Sequence, residues 1–429
     1  MSQAIPTSAR RFWSSVTMLI VLVLWTIPAH AENAWHQWGG DQRNFQCSSQ
    51  DLAATWPEQG PALLWERPLG DGYSAILADN GRLFTMYHQD GNEIVVAVDE
   101  KTGKDLWRQE YVAGLTDTMN LEFGPGPLST PALAGDRLLT VGMTLKVHAL
   151  DADDGSVLWQ KDLKTALDAP QMPRGYGASP LLYEDLVIIA PGAKPGNDGG
   201  VVALNQADGT IAWKSAGFGP SYSSPILADV DGKPQVMIAA ANKRAGLAPR
   251  TGKILWEIEL RAESSTIMST QLWDPKEHIL FGSSAYADGS RAIKVEQKDD
   301  QFVAEELWYS RKMRVQHATA VRAGDLVYGS SGDFGPAFIT ALDIKTGELA
   351  FRQRGFSKAN LLRVGEQLLI LDEDGTLALG IPGREGIEIL AKAKILERIS
   401  WTVPTLIGTR LYVRDRKSMK AFELADAKG

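Results

Sequence analysis

The sequence contains very little cysteine, since Cys47 is the only one in 429 residues. A single cysteine excludes an internal disulfide, a multi-cysteine zinc site and a C-x-x-C-H haem signature. Cys47 is predicted to be a buried or free thiol, with pairing to another molecule as the alternative. The histidines show no H-x-H or i, i+4 spacing, so no metal site is predicted.

The sequence also lacks an excess of positive charge. It has 44 Lys and Arg against 52 Asp and Glu, a formal net charge of −8 at pH 7. Nucleic acids and anionic membranes bind to basic surfaces, so neither is a predicted partner. No Walker A, G-x-G-x-x-G, H-E-x-x-H or G-x-S-x-G motif is present, so the sequence indicates neither a nucleotide site nor a motif-based hydrolase centre.

Long hydrophobic runs are missing outside the N-terminus. There, Arg10 and Arg11 precede the apolar run Val16–Ile27, which is followed by small residues up to Ala31. This order is typical of a secretory signal peptide, and the run is shorter than the ~20 residues of a spanning helix. We predict cleavage after Ala31, giving an exported periplasmic or extracellular protein without stable membrane insertion. Cys47 lies too far downstream to form a lipobox.

What the sequence does have is self-similarity. The stretch AVDEKTGKDLW (Ala97–Trp107) returns as ALDADDGSVLW (Ala149–Trp159), and further copies occur at Ala203–Trp213, Gly246–Trp256 and Ala341–Phe351. A repeat of about 40 to 55 residues indicates a propeller or a solenoid. Asp and Gly are typical of a tight turn between two strands, and Trp is a large anchor that can fill the space between sheets.

A second pair of short strands precedes each copy, as in TPALAGDRLLTVG (Thr130–Gly142). Four short antiparallel strands make one propeller blade. We therefore predict an all-β, eight-bladed β-propeller of four-stranded blades. Seven blades are the alternative, because the seventh repeat (Leu361–Gly380) has lost its aromatic residue. The last blade, from Val403 to Leu424, has only three strands, and the N-terminal strand Ala62–Leu69 is predicted to complete it and close the ring.

The predicted organisation is a signal peptide (1–31), an N-terminal extension (32–61) and the propeller (62–429), expected to be a monomer. One aromatic residue on the fourth strand of most blades is predicted to dock that blade against its neighbour. These docking residues are Trp65, Trp107, Trp159, Trp213, Trp256, Trp308 and Phe351.

The repeated A-x-D-x-x-T-G-x-x-x-W pattern resembles the tryptophan-docking motif of the quinoprotein-type β-propellers, the pyrroloquinoline quinone (PQQ) repeat. The segment Trp35–Phe45 is similar to one common in exported PQQ-like repeat proteins of bacteria. One branch of that family contains PQQ-dependent dehydrogenases with quinone and Ca²⁺ at the central channel. Another contains scaffolds similar to outer-membrane protein assembly factor B. The dehydrogenases typically cap the quinone with adjacent cysteines, so the resemblance favours a scaffold without a cofactor.

Loops that lead into the first strands of the blades, here called the rim, are the predicted ligand site because they converge at one end of the channel. Their candidate binding residues are Arg174, Tyr176, Tyr222, Arg314, His317, Lys358, Asn360, Arg398 and Trp401. Arg, Lys and aromatic residues together can bind an acidic peptide, a carboxylate or a sulfated sugar. The alternative is a solvated loop surface that binds nothing.

The leading functional hypothesis is an exported, non-enzymatic scaffold that holds a cell-envelope protein or peptide at the rim, or by strand addition to a sheet edge. One alternative is a PQQ- and calcium-dependent oxidoreductase of alcohols or sugars, with the rim cations holding the quinone carboxylates. Another is a carbohydrate-binding module. His317 stands where sister strands begin with Ser or Thr, and we expect it to have a structural rather than a catalytic role.

Overall fold

The computed structural model describes Met1 and residues 34–48, 52–259, 267–286, 288–333, 335–397 and 399–425. In these residues, eight antiparallel sheets form a ring, so the predicted eight-bladed β-propeller is confirmed and the seven-blade alternative is wrong. The described part contains one helix, α1 (Leu163–Ala166). It has no helix with the length and apolar character needed to cross a membrane. Apart from Met1, the predicted signal peptide lies outside the described residues.

Two strands precede the first blade, β1 (Gln46–Cys47) and β2 (Ala62–Pro68). Blade 1 consists of β3 (Leu77–Asp79), β4 (Arg82–Gln89), β5 (Asn92–Asp99) and β6 (Asp105–Val112). Blade 2 consists of β7 (Ala132–Ala134), β8 (Arg137–Val141), β9 (Lys146–Asp151) and β10 (Val157–Asp162). Blade 3 consists of β11 (Leu181–Tyr183), β12 (Leu186–Ile189), β13 (Val201–Asn205) and β14 (Ile211–Ser215). Blade 4 consists of β15 (Ile226–Val230), β16 (Lys233–Ala239), β17 (Lys243–Leu247) and β18 (Ile254–Glu259).

Blade 5 consists of β19 (Leu272–Asp274), β20 (Ile279–Ser283), β21 (Ser290–Lys298) and β22 (Gln301–Ser310). Blade 6 consists of β23 (Val321–Ala323), β24 (Leu326–Ser331), β25 (Phe338–Asp343) and β26 (Leu349–Gln353). Blade 7 consists of β27 (Ala359–Val364), β28 (Gln367–Asp372), β29 (Thr376–Pro382) and β30 (Ile387–Lys394). Blade 8 consists of β31 (Thr405–Ile407), β32 (Arg410–Arg414), β33 (Ser418–Glu423) and the early strand β2.

The N-terminal part of the chain is used twice in the sheets. Strand β2 pairs antiparallel with β33, with Trp65 opposite Ala421, so the first long strand completes the last blade as predicted. Strand β1 pairs parallel with β27, with Cys47 opposite Val364, and makes blade 7 a five-stranded sheet. Both pairings tie the start of the chain to its end, and the first removes the open edge that a three-stranded last blade would leave.

Trp107 shows how one blade is fixed to the next. Its side chain is 9% exposed and lies on β6 opposite Ala97, next to a β-bulge. The indole Nε1 donates a hydrogen bond to the Ala152 carbonyl in the following blade, at 3.0 Å. Gly155 in that blade has φ +76°, and a β-carbon there would lie 2.5 Å from the indole. Glycine is therefore needed both for the positive φ of the turn and for the close approach of the indole ring.

The same contact recurs at most of the blade junctions. The indoles of Trp65, Trp159, Trp213 and Trp308 donate to the carbonyls of Glu100, Gln206, Pro249 and Ile344, respectively, at 2.8–2.9 Å. Trp256 instead donates to Gln235 Oε1 of its own blade at 2.7 Å, and the blade 5 turn that faces it lacks the Thr-Gly or Asp-Gly pair. Phe351 has no N–H to donate, and at that junction the Tyr328 hydroxyl donates to the Gly383 carbonyl at 3.2 Å.

The junction between blades 7 and 8 has no docking aromatic, because Ala391 occupies that position opposite Leu379. The N-terminal extension reaches this junction, where a β-carbon on Gly60 would lie 2.9 Å from the Ala393 side chain. Trp56, four residues earlier, packs against the main hydrophobic core. The extension therefore packs against the fourth strand of blade 7 at this junction.

We expect Trp107→Ala to lower the free energy of unfolding by about 3–5 kcal/mol, because it removes a buried ring and leaves a cavity between two blades. Urea denaturation followed by circular dichroism measures the change. The matched control is Leu106→Ala, since Leu106 is 50% exposed on the same strand. Equal stabilities of the two variants would contradict the docking role of Trp107.

Candidate functional site at the channel rim

Trp401 lies near the axis of the ring. Its indole packs against Tyr73, Phe123 and His317, with centroid separations of 5.2, 5.0 and 4.8 Å. These residues precede the first strands of blades 1, 2 and 6, whereas Trp401 precedes that of blade 8. Blades 2 and 6 lie on opposite sides of an eight-bladed ring, so side chains from both can contact one indole only near the axis. The four residues, called the rim cluster, therefore occupy this end of the channel.

Hydrogen bonds hold the rim cluster in place. The Tyr73 hydroxyl donates to the Phe123 carbonyl at 2.6 Å, and burial raises the pKa of Tyr73 to about 12. The Trp401 indole N–H donates to Glu373 Oε2 at 2.7 Å. The cluster is consequently a packed and hydrogen-bonded surface.

The predicted rim cations are matched by carboxylates. The pairs, by nitrogen–oxygen distance, are Arg174–Glu122 (3.8 Å), Arg314–Asp333 (3.1 Å) and Lys358–Glu373 (3.9 Å). Arg174 also lies over the Phe123 ring, with its guanidinium carbon 4.9 Å from the ring centroid. Each cation faces an anion, so the net positive charge available to an acidic ligand at these positions is small. Arg398 lies outside the described residues.

The remaining predicted residues lie at different depths. Tyr222 is partly buried, and its hydroxyl accepts a hydrogen bond from the Arg174 backbone N–H at 3.3 Å. Tyr176 is buried, its hydroxyl donates to the Pro170 carbonyl, and burial raises its pKa. Asn360 is fully buried, and neither atom of its amide has a hydrogen-bond partner among the described residues. Tyr222 thus contacts the rim cation Arg174, while Tyr176 and Asn360 are covered by protein.

His317 is partly buried, and its Nε2 atom is buried without a hydrogen-bond partner in the described part of the chain. Burial, assisted by the positive charge of Lys358, lowers the pKa of His317 to about 3. The ring is therefore neutral at pH 7. Its packing on Trp401 is a structural contact.

Sequence reasoning missed the role of the N-terminal segment, defined here as Trp35–Cys47. The segment makes backbone or side-chain hydrogen bonds to residues of blades 1, 2, 3, 5 and 7. These are Trp35 N–H to Ala78 O (2.7 Å), Leu133 N–H to His36 O (2.7 Å), Arg43 Nη1 to Pro180 O (2.7 Å), Trp38 Nε1 to Thr270 Oγ1 (3.0 Å) and Arg363 N–H to Phe45 O (2.9 Å). All five partners lie in or beside the first, innermost strands of their blades, so the segment lies at the channel.

Arg43 is the least expected residue of the N-terminal segment. It is 2% exposed, and its guanidinium donates to Gln37 Oε1, Pro180 O and Ser179 O at 2.7–3.3 Å. No described carboxylate pairs with it, and burial lowers its pKa to about 9. A buried cation bonded only to neutral oxygens requires well-placed partners. Its aromatic and glycine-rich surroundings in the sequence were the available signal that this stretch is part of the fold.

Among the described residues, no group of three or more His, Cys, Asp and Glu side chains is arranged to hold a metal ion. A cleft of about 440 Å³ lies beside the rim between blades 8 and 1, lined by residues that include Asp71, His88 and Lys417. The Asp71 carboxylate is already bonded to Arg416 at 2.7 Å. The cleft is open and mixed in charge, without a cluster of convergent catalytic groups.

We expect Phe45→Ala to reduce the free energy of unfolding by about 3–5 kcal/mol, because Phe45 is fully buried within the channel. Chemical denaturation monitored by tryptophan fluorescence would give the value. Gln42→Ala, at an exposed position of the same segment, is the control. If Phe45→Ala unfolds at the same denaturant concentration as the control, the ring does not depend on the segment.

A second prediction concerns pH. His317 is harder to protonate in the folded than in the unfolded state, so its contribution to stability is full above about pH 6.5 and is lost as the pH falls toward about 3. His317→Phe should make the free energy of unfolding less dependent on pH in this window, by at most about 1.4 kcal/mol per pH unit. Denaturation at several pH values measures it. His278→Phe serves as control, and identical slopes in both variants would contradict the assignment.

Residues 90–353, more than half of the chain, match the family model described as "Outer membrane protein assembly factor BamB". The relative of that name from Yersinia pestis is 25% identical over 297 residues, which are 66% of this chain and 71% of the relative.

Among solved structures, BamB from Moraxella catarrhalis has a TM-score of 0.58 at 18% identity, covering 86% of this chain and 98% of that one. The quinohemoprotein alcohol dehydrogenase from Comamonas testosteroni has a TM-score of 0.52 at 13% identity, covering 93% of this chain and 82% of that one. At these identities both likenesses show the fold alone.

Proposed function

Because the chain belongs to the family of outer membrane protein assembly factor BamB, we propose that it is an exported scaffold that takes part in the assembly of outer membrane proteins. It binds a protein partner at the rim, works as a monomer and catalyses no reaction. Membership of this family supports a role in outer membrane protein assembly. The occupied channel supports the proposal that the protein catalyses no reaction.

The observation that carries this proposal is that the protein's own side chains fill the channel. The rim cluster around Trp401 occupies the axis at one end, and the N-terminal segment is bonded to the walls of five blades. A propeller enzyme needs an accessible central site for its cofactor and substrate, whereas a scaffold needs only its outer surfaces and loops. The filled channel therefore favours binding over catalysis.

The alternative, a PQQ-dependent oxidoreductase, has less support from the residues present. Quinone carboxylates require free cations, but Arg174, Arg314 and Lys358 each face a carboxylate. Quinone stacking requires space, but Trp401 is covered by Tyr73 and Phe123. The residues at the rim therefore do not fit the quinone.

The rim is suited to a protein partner. Aromatic residues and arginine dominate the energetics of protein–protein interfaces, where they are partly pre-ordered by their neighbours. Arg174 and Tyr222 are held together by a hydrogen bond, and Arg314 is fixed by Asp333. A partner that covers these residues would bury groups whose geometry is already set, which lowers the entropic cost of binding.

The test is photocrosslinking in a bacterial host, with a photoreactive amino acid at position 222 or 314 and, as control, at position 101. Lys101 is exposed in the turn between β5 and β6, at the end of blade 1 opposite the loop that leads into blade 2. We expect both rim positions, and not the control, to crosslink to a component of the outer membrane protein assembly machinery. Absence of such a crosslink at both rim positions would contradict the proposal.

Calorimetric titration of the purified protein with PQQ, with and without Ca²⁺, tests the enzyme alternative directly. We expect no binding. Saturable, Ca²⁺-dependent binding at micromolar or lower concentration would overturn the non-enzymatic part of the proposal, and a screen of alcohols and sugars would follow.

A further inference from the structure

Positive charge that is not neutralised lies at the outer margin of the rim, on blades 5 to 7. Lys312, Arg352, Arg354 and Lys392 are all exposed. Among the described residues, none of them pairs with a carboxylate, in contrast to Arg314 and Lys358 closer to the axis. These four residues are called the basic patch. In a chain with a net charge of −8, their concentration on neighbouring blades is unusual.

Hydrogen bonds connect the basic patch across three blades. Arg352, near the end of β26, donates from Nη2 to the Lys312 carbonyl in the loop after β22, at 2.5 Å. Lys392 in β30 donates from Nζ to the Gly355 carbonyl in the loop after β26, at 2.6 Å. Each bond joins a cation of one blade to the loop that connects the preceding blade to it. The patch is therefore continuous, and two of its cations are fixed in position.

Two cations of the basic patch lie over aromatic rings. The Arg354 guanidinium lies over the Phe338 ring at 5.3 Å, and the Lys392 ammonium lies over the Phe356 ring at 4.3 Å. The nearby carboxylate of Glu397 is engaged with Lys394 at 3.9 Å. Cations that are ordered in advance and have no carboxylate partner can form charge-assisted bonds with an incoming anion at low entropic cost.

We propose that the basic patch binds an acidic, extended segment of a partner protein. The patch spans the ends of three consecutive outer strands, so an extended chain that crosses these ends can bring its carboxylates to cations of more than one blade. An anionic membrane is a poorer occupant, because stable binding to a lipid surface needs apolar side chains that insert as well as charge. The exposed large apolar residues described on blades 5 to 7 are Val303, Leu307, Tyr309, Leu349 and Ile381, at 37–43% exposure. Of these, Tyr309 alone lies next to the rim end of its strand, beside the patch.

This inference rests on the proposed function only in taking the partner to be a protein. It adds a second contact surface whose chemistry differs from that of the rim cluster. Opposite charges on the two partners would also speed association and orient the partner on blades 5 to 7, because the rest of this acidic protein repels an acidic chain.

The experiment measures fluorescence anisotropy of a fluorescein-labelled peptide of alternating Glu and Ser, titrated with the full chain. A peptide with Gln in place of Glu is the charge control. The test variant is Lys312→Glu with Arg354→Glu, because neither side chain donates a hydrogen bond in the described structure. The matched variant is Lys101→Glu with Lys104→Glu, which has the same change in net charge in an exposed turn of blade 1.

We expect the acidic peptide to bind the wild type and the matched variant, and to bind the test variant about tenfold or more weakly. Binding should also weaken as ionic strength rises from about 0.05 M to about 0.5 M. Equal affinities of the two variants, no binding of the acidic peptide, or equal binding of the Gln peptide would overturn the proposal. The proposal would also be overturned if binding to phosphatidylglycerol vesicles depended on the basic patch while binding of the peptide did not.

The two proposals can fail separately. Crosslinks from positions 222 and 314 without peptide binding would leave the scaffold function in place and remove the basic patch from it. Peptide binding that depends on the patch, without crosslinks to the assembly machinery, would leave an acidic-peptide site whose partner belongs to another process.

Discussion

The packing of an aromatic ring on the glycine of the next blade is the interaction on which the rest of the structure depends. A four-stranded blade has two faces and cannot bury either alone, so each face needs a neighbour. Trp107 meets this need by filling the gap between blades 1 and 2 and bonding to the Ala152 carbonyl. The same geometry at Trp65 joins blade 8 to blade 1, where the two ends of the repeat array meet. Ring closure is thus one more instance of the contact that forms every regular junction.

The irregular junctions show what replaces that contact. Where the glycine turn is absent, Trp256 bonds within its own blade, and where the ring has no N–H, the Tyr328 hydroxyl joins blades 6 and 7. Where the ring itself is lost, at Ala391, the N-terminal extension lies nearby. The start of the chain therefore has three structural tasks, since it completes blade 8, reaches the junction of blades 7 and 8, and fills the channel. With the channel occupied, the proposed partner contacts lie on the loops and the outer surface.

The pairing of charges at the rim also depends on how closely the loops approach one another near the axis. Near the axis, loops of several blades converge and bring Arg174, Arg314 and Lys358 within 3.1–3.9 Å of a carboxylate. At the outer margin the loops diverge, and among the described residues Lys312 and Arg354 have no carboxylate partner. A sequence in which acidic residues outnumber basic ones thus presents a paired surface at its centre and a basic one at the edge.

The amino-acid sequence alone determined the repeat, the four-stranded blades and the closing role of Ala62–Leu69, because these follow from local periodicity, turn chemistry and the spacing of Trp. It predicted eight blades but left seven open, because the seventh repeat has no aromatic residue on its fourth strand. It also located the rim loops. Only the tertiary structure decided that Arg174, Arg314 and Lys358 face carboxylates, that Trp401 contacts residues from opposite blades, and that Trp35–Cys47 occupies the channel. These contacts join residues tens to hundreds of positions apart. No local pattern encodes such contacts, because they depend on where the closed ring places the loops.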